Sequence, residues 1–345
     1  MTELVVTNFN RNFTGVSATA AGVLRAQTLR YDLALAGRAL PGCPAPVSVA
    51  EARRMSRRAP AGRDFVIWHV RRNTEMRAAL WARDVLRLPI RIVFTSAAQR
   101  RHSALPRWLI SRMDAVIATT QKAAEFVPHV RAVVPHGVDC SVYQPATNRA
   151  AAWTATGYPG ARGIATIGRI RPEKGTDRFV DAMLRLLPDQ PGTTALILGR
   201  AGRGDLAFLQ GLKNRIAGAD LQDRILFPGE IAPQALPALI RSLSAVVQTP
   251  RYEGYGMAPL EGMASGVPFV ATDAGYYRDF SEGGATGRIV ADADEAARAL
   301  DTLLSDPARH TAMADAARKV AQTRFSVEAE ADGIGAVYEA LWRGA

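Results

Sequence analysis

The chain has 345 residues, which is room for two domains of ordinary size, and its hydrophobic content of 48% can supply a core to each. No apolar run approaches the roughly 18 residues that a membrane-spanning helix needs, and the N-terminus lacks a signal-peptide pattern, so we expect a cytoplasmic location. The two cysteines, Cys43 and Cys140, lie far apart without metal-ligand spacing, which excludes a disulfide scaffold and fits a reducing compartment.

The net charge of +11 is confined to the first part of the chain. Residues 1–145 hold 21 Lys and Arg against 9 Asp and Glu, a net charge of +12, whereas residues 146–345 hold 22 against 23, a net charge of −1. This asymmetry predicts an anionic partner for the first part. Zinc spacing and RNA-recognition signatures are absent from the sequence, so we expect a membrane surface or an anionic glycolipid and no nucleic acid. The alternative is an Arg-rich composition that places Arg on solvated faces.

Short apolar runs alternate with helical periodicity along the first 147 residues. The predicted strands are 4–7, 32–36, 65–70, 90–95, 115–118 and 132–134. Helical periodicity is found near 16–30, 74–87, 106–112 and 120–126. Such alternation predicts a parallel sheet with helices on both faces.

The same alternation resumes after the stretch 147–161, whose Ala, Thr, Gly and Pro content predicts a linker. The predicted strands here are 163–167, 195–198, 225–227, 245–248, 268–271 and 288–290. The sequence therefore predicts an α/β protein with two Rossmann-like domains, 1–147 and 148–325. Ligands of open parallel sheets bind at the carboxyl ends of the strands, so we expect both sets of strand ends to face a central cleft.

A cationic loop follows the first strand of the second domain. Gly168 and Arg169 end that strand, Pro172 breaks it, and Gly175 opens a helix, which places Lys174 at the helix N-terminus. An Arg at a strand tip and a Lys at the next helix can converge on one anion, as a guanidinium fork and an ammonium point charge. The alternative is a basic loop without a ligand.

Two glutamates, Glu253 and Glu261, flank a Gly-x-Gly turn. Gly254 and Gly256 permit a tight turn, and Pro259 suits the first turn of the helix that follows. Free backbone N–H groups at this positive helix end attract phosphate, and the carboxylates can accept hydrogen bonds from sugar hydroxyls. The pattern predicts a sugar-nucleotide site. The alternative is a surface loop followed by an ordinary helical glutamate.

These segments give the chain a resemblance to the family-4 retaining glycosyltransferases, which have the GT-B fold and transfer a hexose from a nucleotide diphosphate. The shared motifs follow the family's order and spacing from residue 135 to residue 287. They are Pro135-His-Gly-Val-Asp139 with Tyr143 and Pro145, Gly168-Arg169, Glu173-Lys174-Gly175, Leu196-Ile-Leu-Gly199, Phe227-Pro-Gly229, Glu253-Gly-Tyr-Gly256, Glu261-Gly-Met-Ala-Ser-Gly-Val-Pro268, Thr272-Asp-Ala-Gly275 and Thr286-Gly287. The resemblance also implies that a last helix, within 326–345, crosses back to the first domain.

The resemblance implies roles for individual residues. Arg169 and Lys174 would bind the donor diphosphate and stabilise its departure. Glu253 would contact the donor hexose, and Glu261 would hold the ribose hydroxyls. No cofactor and no metal are required if the two cations neutralise the leaving group. The implied catalytic residues are Arg169, Lys174 and Glu253, and the implied donor-binding residues are Gly15, Gly168, Arg169, Lys174, Gly254, Tyr255, Gly256, Met257, Ala258 and Glu261.

Three positions depart from the family pattern. The first loop, 8–15, carries the single glycine Gly15 where members often have a pair. Thr95 or Ser96 stands where many members have a histidine near the reacting carbon, and Arg251 stands where a serine is usual. These departures leave the donor residues intact and concern the acceptor side.

Within the family, the stretches 10–15 and 94–102 look like those of bacterial lipopolysaccharide core mannosyltransferases. That resemblance implies GDP-mannose as the donor and an anionic, lipid-linked inner-core saccharide as the acceptor. The acceptor would bind the basic first domain, in peripheral contact with the inner face of the cytoplasmic membrane. Two other classes stay open: a GT-B-like nucleotide-sugar epimerase, and a non-catalytic protein that binds nucleotide sugars or lipid surfaces.

Two further segments have alternative interpretations. Asp292-Ala-Asp294 resembles an Asp-x-Asp metal motif, but the helical pattern after it favours helix capping. The segment 100–112 mixes arginines with Trp108, Leu109 and Ile110. It either lies on a membrane interface or turns its apolar side to the core.

Overall fold

The structure, a computed structural model, describes residues 2–12 and 15–344. Phe13 and Thr14, which belong to the predicted first loop, lie outside the described residues. The chain divides into two compact units, one formed by the described residues of Met1–Gly137 and Phe325–Ala345 and the other by Val138–Arg324. Each unit is an α/β domain built on one parallel sheet.

The strands of both sheets are short, as parallel strands buried between helices usually are. In the first unit they are β1 (Leu4–Asn8), β2 (Leu33–Gly37), β3 (Val66–Val70), β4 (Ile90–Ser96), β5 (Ala115–Ala118) and β6 (Val130–Val133). In the second unit they are β7 (Arg162–Ile167), β8 (Thr193–Leu198), β9 (Ile225–Gly229), β10 (Leu243–Gln248), β11 (Phe269–Thr272) and β12 (Gly287–Val290).

The helices lie between the strands and at the end of the chain. They are α1 (Gly15–Gln27), α2 (Val49–Met55), α3 (Asn73–Leu80), α4 (Ala104–Ile110), α5 (Gln121–Ala124), α6 (Arg149–Thr154), α7 (Thr176–Leu186), α8 (Leu206–Ala217), α9 (Leu236–Ser242), α10 (Met257–Ala264), α11 (Tyr277–Phe280), α12 (Ala293–Ser305), α13 (Pro307–Arg324) and α14 (Val327–Trp342), and a π-helix (Trp81–Val85) continues α3. In the part of the chain that the structure describes, no helix combines the length and apolarity that a membrane span requires.

The first sheet has the strand order β2-β1-β3-β4-β5-β6, and all neighbouring strands are parallel. It is buried on both faces: Leu4 and Val6 of β1 belong to one core cluster, and Val5 between them belongs to another. Side chains of a strand alternate between faces, so a sheet covered on both sides needs a continuous apolar run. Helix α14, from the end of the chain, packs against α1 in this unit.

The second sheet has the strand order β12-β11-β10-β7-β8-β9, again with parallel neighbours. The chain runs outward from β7 through β8 and β9 and then returns to the other side of β7 with β10. This is the doubly wound Rossmann order, and its topological switch point lies between β7 and β10. The carboxyl ends of those two strands are where such a sheet binds ligands.

Every strand predicted from the sequence overlaps a strand of the structure, but three helices, α2, α6 and α13, were not predicted. Helix α2 follows a proline-rich segment, and it is capped by Ser48, whose side chain accepts a hydrogen bond from the Glu51 N–H at 3.0 Å. Helix α6 lies inside the stretch 147–161 that was predicted as a linker. That stretch belongs to the second unit, because Trp153 of α6 is fully buried there and donates to the Gly160 carbonyl.

Candidate active site

The loop after β7 is fixed against the end of β10 by a glycine. Gly175 adopts a left-handed φ of 66°, and a Cβ built on it would lie 1.7 Å from the backbone oxygen of Thr249. The Thr249 hydroxyl donates a 2.9 Å hydrogen bond to the Gly175 carbonyl. Only glycine allows so close an approach. The two loops on either side of the switch point therefore meet here.

Arg251 reinforces this contact between the loops. Its backbone N–H donates to the Glu173 carbonyl at 2.9 Å, and its guanidinium forks onto the Asp177 carboxylate at 2.8 and 2.6 Å. Such bidentate pairs fix geometry as well as charge. The residue that departs from the family's usual serine thus holds the cationic loop from a second side.

Lys174 and Glu253 are brought together by these contacts. The Lys174 Nζ lies 2.6 Å from the Glu253 Oε2, and the two side chains keep 26% and 18% of their surface exposed. The other carboxylate oxygen accepts a 3.0 Å hydrogen bond from the Gly254 N–H. Because solvent reaches the pair, an incoming anion can bind the Lys174 ammonium in place of Glu253. The Glu253 carboxylate can then accept hydrogen bonds from hydroxyl groups.

Arg169 lies at the tip of β7 with its side chain exposed, beside a cavity of about 540 Å³ at the carboxyl ends of β7 and β8. Gly168 and Gly199 bring the strand-end loops together, since a Cβ on Gly199 would lie 1.9 Å from the Gly168 oxygen. Arg200 and Glu230, which form an ion pair at 3.4 Å, line the same cavity. Neither residue was predicted to belong to the site; the signal in the sequence that could have indicated them is the pair of strand-end glycines, Gly168 and Gly199.

Gly256 turns the chain into α10 with φ 96° and ψ 81°. A Cβ at this position would lie 2.1 Å from the Tyr277 ring, so the turn requires glycine. As the N-cap, Gly256 offers no side chain to the first amides of the helix. The N–H groups of Met257 and Ala258 therefore begin the helix at its positive end, an arrangement that binds phosphate.

The loop after β11 supports the glycine-rich turn. Tyr255 stacks on Tyr276 with ring centroids 5.3 Å apart, and the Tyr276 N–H donates to the Tyr255 carbonyl at 2.9 Å. Gly275, with a φ of 58°, allows this approach, because a Cβ there would lie 2.5 Å from the Tyr255 oxygen. Three loops of the second unit thus hold Glu253 in position.

Glu261 lies on the second turn of α10 beside Tyr143. Burial raises the pKa of Glu261 to about 7, and a hydrogen bond from the Tyr143 hydroxyl acts in the opposite direction. The Tyr143 backbone is itself held, because its carbonyl accepts a 2.7 Å hydrogen bond from Arg318. The carboxyl therefore titrates near neutral pH within a fixed frame.

A family model described as glycosyl transferases group 1 matches residues 158–320. The lipopolysaccharide core biosynthesis mannosyltransferase LpcC of Rhizobium leguminosarum bv. viciae is 40% identical over 344 residues, which cover 98% of this chain and 96% of the relative. The mannosyltransferase LpsB of Rhizobium meliloti (strain 1021), named for the same biosynthesis, is 40% identical over 348 residues, with coverage of 99% and 98%. The chain belongs to the glycosyl transferases group 1 family.

A solved structure extends the likeness of this glycosyltransferase to the fold. Anabaena Alr3699/HepE, in complex with UDP and glucose, aligns with 99% of this chain and 100% of its own, with a TM-score of 0.80 at 18% identity. The likeness shows the GT-B fold with its two Rossmann-like domains. The predicted fold class, family and glycosyltransferase activity are confirmed.

The first unit of this glycosyltransferase holds the remaining predicted positions. Gly15 begins α1, and a Cβ built on it meets no described atom within 4 Å. The described structure therefore gives no reason for a glycine at this position, and its donor-binding role stays a prediction. Thr95 is one of the two residues, with Ser96, predicted to stand where many members have histidine, and its Oγ1 lies 2.7 Å from the Nε2 of His69. The Nδ1 of that buried histidine contacts the Tyr338 hydroxyl, and burial lowers its pKa. His69 is therefore a hydrogen-bonded core residue.

The Asp-x-Asp motif of this glycosyltransferase is a helix start. Asp292 accepts a 2.9 Å hydrogen bond from the Glu295 N–H as the N-cap of α12, and Asp294 pairs with Arg185. Among residues 2–12 and 15–344, no three His, Cys, Asp or Glu side chains cluster in a way that could hold a metal ion.

A larger cavity of about 850 Å³ lies along the edge strand β12. Its walls include Arg278, Arg288 and Arg298, and none of the predicted site residues lines it. The candidate site at the switch point is distinguished from this cavity by the loop contacts, the charges and the helix N-terminus that coincide there, and not by its size.

Proposed function

We propose that this glycosyltransferase moves mannose from GDP-mannose to an anionic, lipid-linked saccharide such as the lipopolysaccharide inner core, with retention of anomeric configuration. The observation that carries the proposal is the 40% identity, over nearly the full length of each chain, to two lipopolysaccharide core mannosyltransferases. The Lys174–Glu253 pair at the switch point supports a donor site in the second unit.

The second unit binds the donor in this proposal. Arg169, Lys174 and the first amides of α10 neutralise the diphosphate, and Glu261 accepts hydrogen bonds from the ribose. The cavity beside Arg169, about 540 Å³, has the volume of a small-ligand pocket and takes the nucleoside. The glycines at positions 168, 254 and 256 let the backbone approach the phosphates.

The proposed reaction exchanges one bond at the anomeric carbon. The bond from that carbon to the β-phosphate oxygen breaks, and its electron pair leaves with GDP. A bond to the acceptor oxygen forms on the same face, and the acceptor proton passes to the departing phosphate oxygen. Arg169 and Lys174 stabilise the growing negative charge, an effect worth on the order of 3 kcal/mol for each donor. Glu253, released from Lys174, holds the hexose hydroxyls.

The first unit binds the acceptor in this proposal. Its strongly positive charge, +12 over residues 1–145, matches an anionic saccharide at the inner face of the cytoplasmic membrane. Attraction between opposite charges concentrates such an acceptor near the enzyme and weakens with salt. Contact with the membrane would be peripheral.

Mass spectrometry of reactions with a panel of nucleotide sugars tests the proposal. We expect hexose transfer from GDP-mannose to a lipid-linked anionic core saccharide, and NMR of the product should show the donor's anomeric configuration. Transfer from another nucleotide sugar alone would overturn the mannose assignment, and an inverted product would overturn retention.

A further inference from the structure

The first unit carries a patch of exposed apolar side chains, which we call the outer patch. It consists of Trp81, Val85, Leu86, Leu105 and Trp108, with 52%, 53%, 45%, 57% and 53% of their surface exposed. The first three lie on the π-helix that continues α3 or directly after it, and the other two lie on α4. Helix α3, which the π-helix continues, packs against α4, so the two groups of exposed apolar residues lie on neighbouring helical segments of the first unit.

The inner sides of the same two elements are anchored in one core cluster. Leu80 and Ala82 on one element, and Leu109 and Ile110 on the other, are buried in the cluster that covers a single face of the first sheet. For the segment 100–112, the core alternative is confirmed by the burial of Leu109 and Ile110, and the membrane-interface alternative stays a prediction. One side of α4 is core, and the other side presents apolar residues to solvent.

The segment that carries the outer patch is rich in arginine. Residues 77–112 contain eight Arg and a single acidic residue, Asp84, which is paired with Arg83. Arg100, Arg101 and Arg107 are exposed. The guanidinium of Arg112 lies 5.3 Å from the centroid of the Trp108 ring. An exposed aromatic and aliphatic face within so cationic a segment is the composition of an interfacial membrane-binding element.

We infer that the outer patch docks this enzyme on an anionic phospholipid bilayer, with Trp81 and Trp108 at the level of the headgroups. Tryptophan favours the membrane–water interface, where its ring is partly buried and its N–H stays hydrated. The neighbouring arginines attract anionic headgroups. The inference extends the proposed function, since it states which surface meets the membrane that carries a lipid-linked acceptor.

Sedimentation with vesicles tests the inference without donor or acceptor sugar. The enzyme should bind phosphatidylcholine vesicles that contain phosphatidylglycerol, and should not bind pure phosphatidylcholine. Trp81→Ser with Trp108→Ser should weaken binding by at least about tenfold, because the apolar anchor is lost. Arg100→Gln with Arg101→Gln should weaken it by about fivefold for each charge removed.

Two matched controls separate the outer patch from general surface properties. Leu29→Ser removes another exposed apolar side chain of the first unit, which is 92% exposed. Arg57→Gln with Arg58→Gln removes two exposed charges of the same unit. Both controls should keep nearly normal vesicle binding. A control that loses as much binding as the corresponding patch variant would overturn the inference.

Quenching of intrinsic fluorescence by brominated lipids tests insertion in the unmodified enzyme. Of the five tryptophans, Trp68 and Trp153 are fully buried and Trp342 is 9% exposed, so quenching reports Trp81 and Trp108. We expect quenching on anionic vesicles, and binding without quenching would overturn insertion. These measurements use no sugar, so a failure of mannose transfer leaves their result intact. Normal transfer by an enzyme that does not bind vesicles would overturn this inference alone.

Discussion

In the second unit the ammonium of Lys174 lies 2.6 Å from the carboxylate of Glu253, which stands 79 residues later in the chain. The contact joins the loops that follow β7 and β10, on the two sides of the topological switch point. Ligands of doubly wound sheets bind at that edge. In the proposed mechanism diphosphate binding there is an exchange, in which Lys174 leaves the carboxylate for the phosphates and Glu253 becomes free for the hexose.

Glu253→Gln should separate transfer from nucleotide binding. The neutral amide no longer pairs with Lys174, so GDP should bind at least as tightly as it does to the wild type. Transfer should fall by on the order of a hundredfold, because a hexose contact made in the transition state is lost. Calorimetry with GDP and a turnover assay check the two effects. Weaker GDP binding with unchanged turnover would contradict the proposed exchange.

Gly175→Ala should destabilise the second unit. The added Cβ would lie 1.7 Å from the Thr249 backbone oxygen, and no rotation of a side chain can relieve that contact. Together with the left-handed φ, this should lower the free energy of unfolding by at least about 2 kcal/mol. Thermal denaturation measures the loss, and activity should fall with it.

A second glycine provides the control for that substitution. Gly211 lies within α8, and a Cβ built on it meets no described atom within 4 Å. Gly211→Ala should therefore raise stability by about 0.5–1 kcal/mol, because alanine loses less conformational entropy in a helix. Equal destabilisation by both variants would show that the close approach at Gly175 is not what matters.

Nucleotide affinity should depend on pH through Glu261, whose pKa is raised by burial to about 7. Only the carboxylate accepts two hydroxyl hydrogen bonds, so GDP affinity should increase as pH rises through about 7. Glu261→Gln should flatten this dependence. Tyr143→Phe removes the hydrogen bond that lowers the pKa, so it should move the midpoint to higher pH. Calorimetry on both sides of pH 7 measures this, and a midpoint that moves downward would contradict the assignment.

The free energy of unfolding should also depend on the protonation of Glu261, but it should decrease as pH rises, whereas GDP affinity should increase. Its pKa in the folded protein, about 7, lies above the ordinary value of 4.5. Its contribution to stability is therefore fully present below pH 4.5 and is lost as pH rises towards 7. The free energy of unfolding of the Glu261→Gln variant should not show this decrease with pH. Denaturant unfolding of both proteins at matched pH values checks the difference.

Activity should persist in EDTA. In the proposed mechanism Arg169, Lys174 and helix amides neutralise the leaving diphosphate, so a metal has no required task. Asp292→Ala should cost about 1 kcal/mol of stability as a lost N-cap and leave turnover unchanged. An absolute Mn²⁺ requirement, together with loss of turnover in Asp292→Ala and Asp294→Ala variants, would overturn this assignment.

The fold could be predicted from the sequence because its strands are buried on both faces. Runs such as Ala115–Ala118 must then be continuously apolar, and glycine or proline ends several of them. Helix α6 was not predicted because the segment 147–161 has the Ala, Thr, Gly and Pro composition of a linker. What makes it part of the second unit is the burial of Trp153, which composition does not reveal. Helix α2 escaped because its capping signal follows a segment rich in proline.

The candidate site could be predicted only as a set of residues at strand ends. Glycines at positions 175, 199 and 256 marked where backbones approach closely, but a sequence does not state which backbone approaches which. The direct pairing of Lys174 with Glu253 depends on the contact between Gly175 and Thr249. The pKa of Glu261, about 7, is raised by burial and lowered by the hydrogen bond from Tyr143, a residue far away in the chain. Neither effect can be predicted from the sequence.

Calorimetric titration of GDP into the wild type and Lys174→Ala tests the central claim most directly. Lys319→Ala, an exposed lysine of the second unit, is the matched control. We predict that Lys174→Ala weakens GDP binding by on the order of a hundredfold, since a charge-assisted contact to phosphate is lost. The control should bind as the wild type does. Unchanged GDP affinity in Lys174→Ala would contradict a diphosphate site at the switch point of the second sheet.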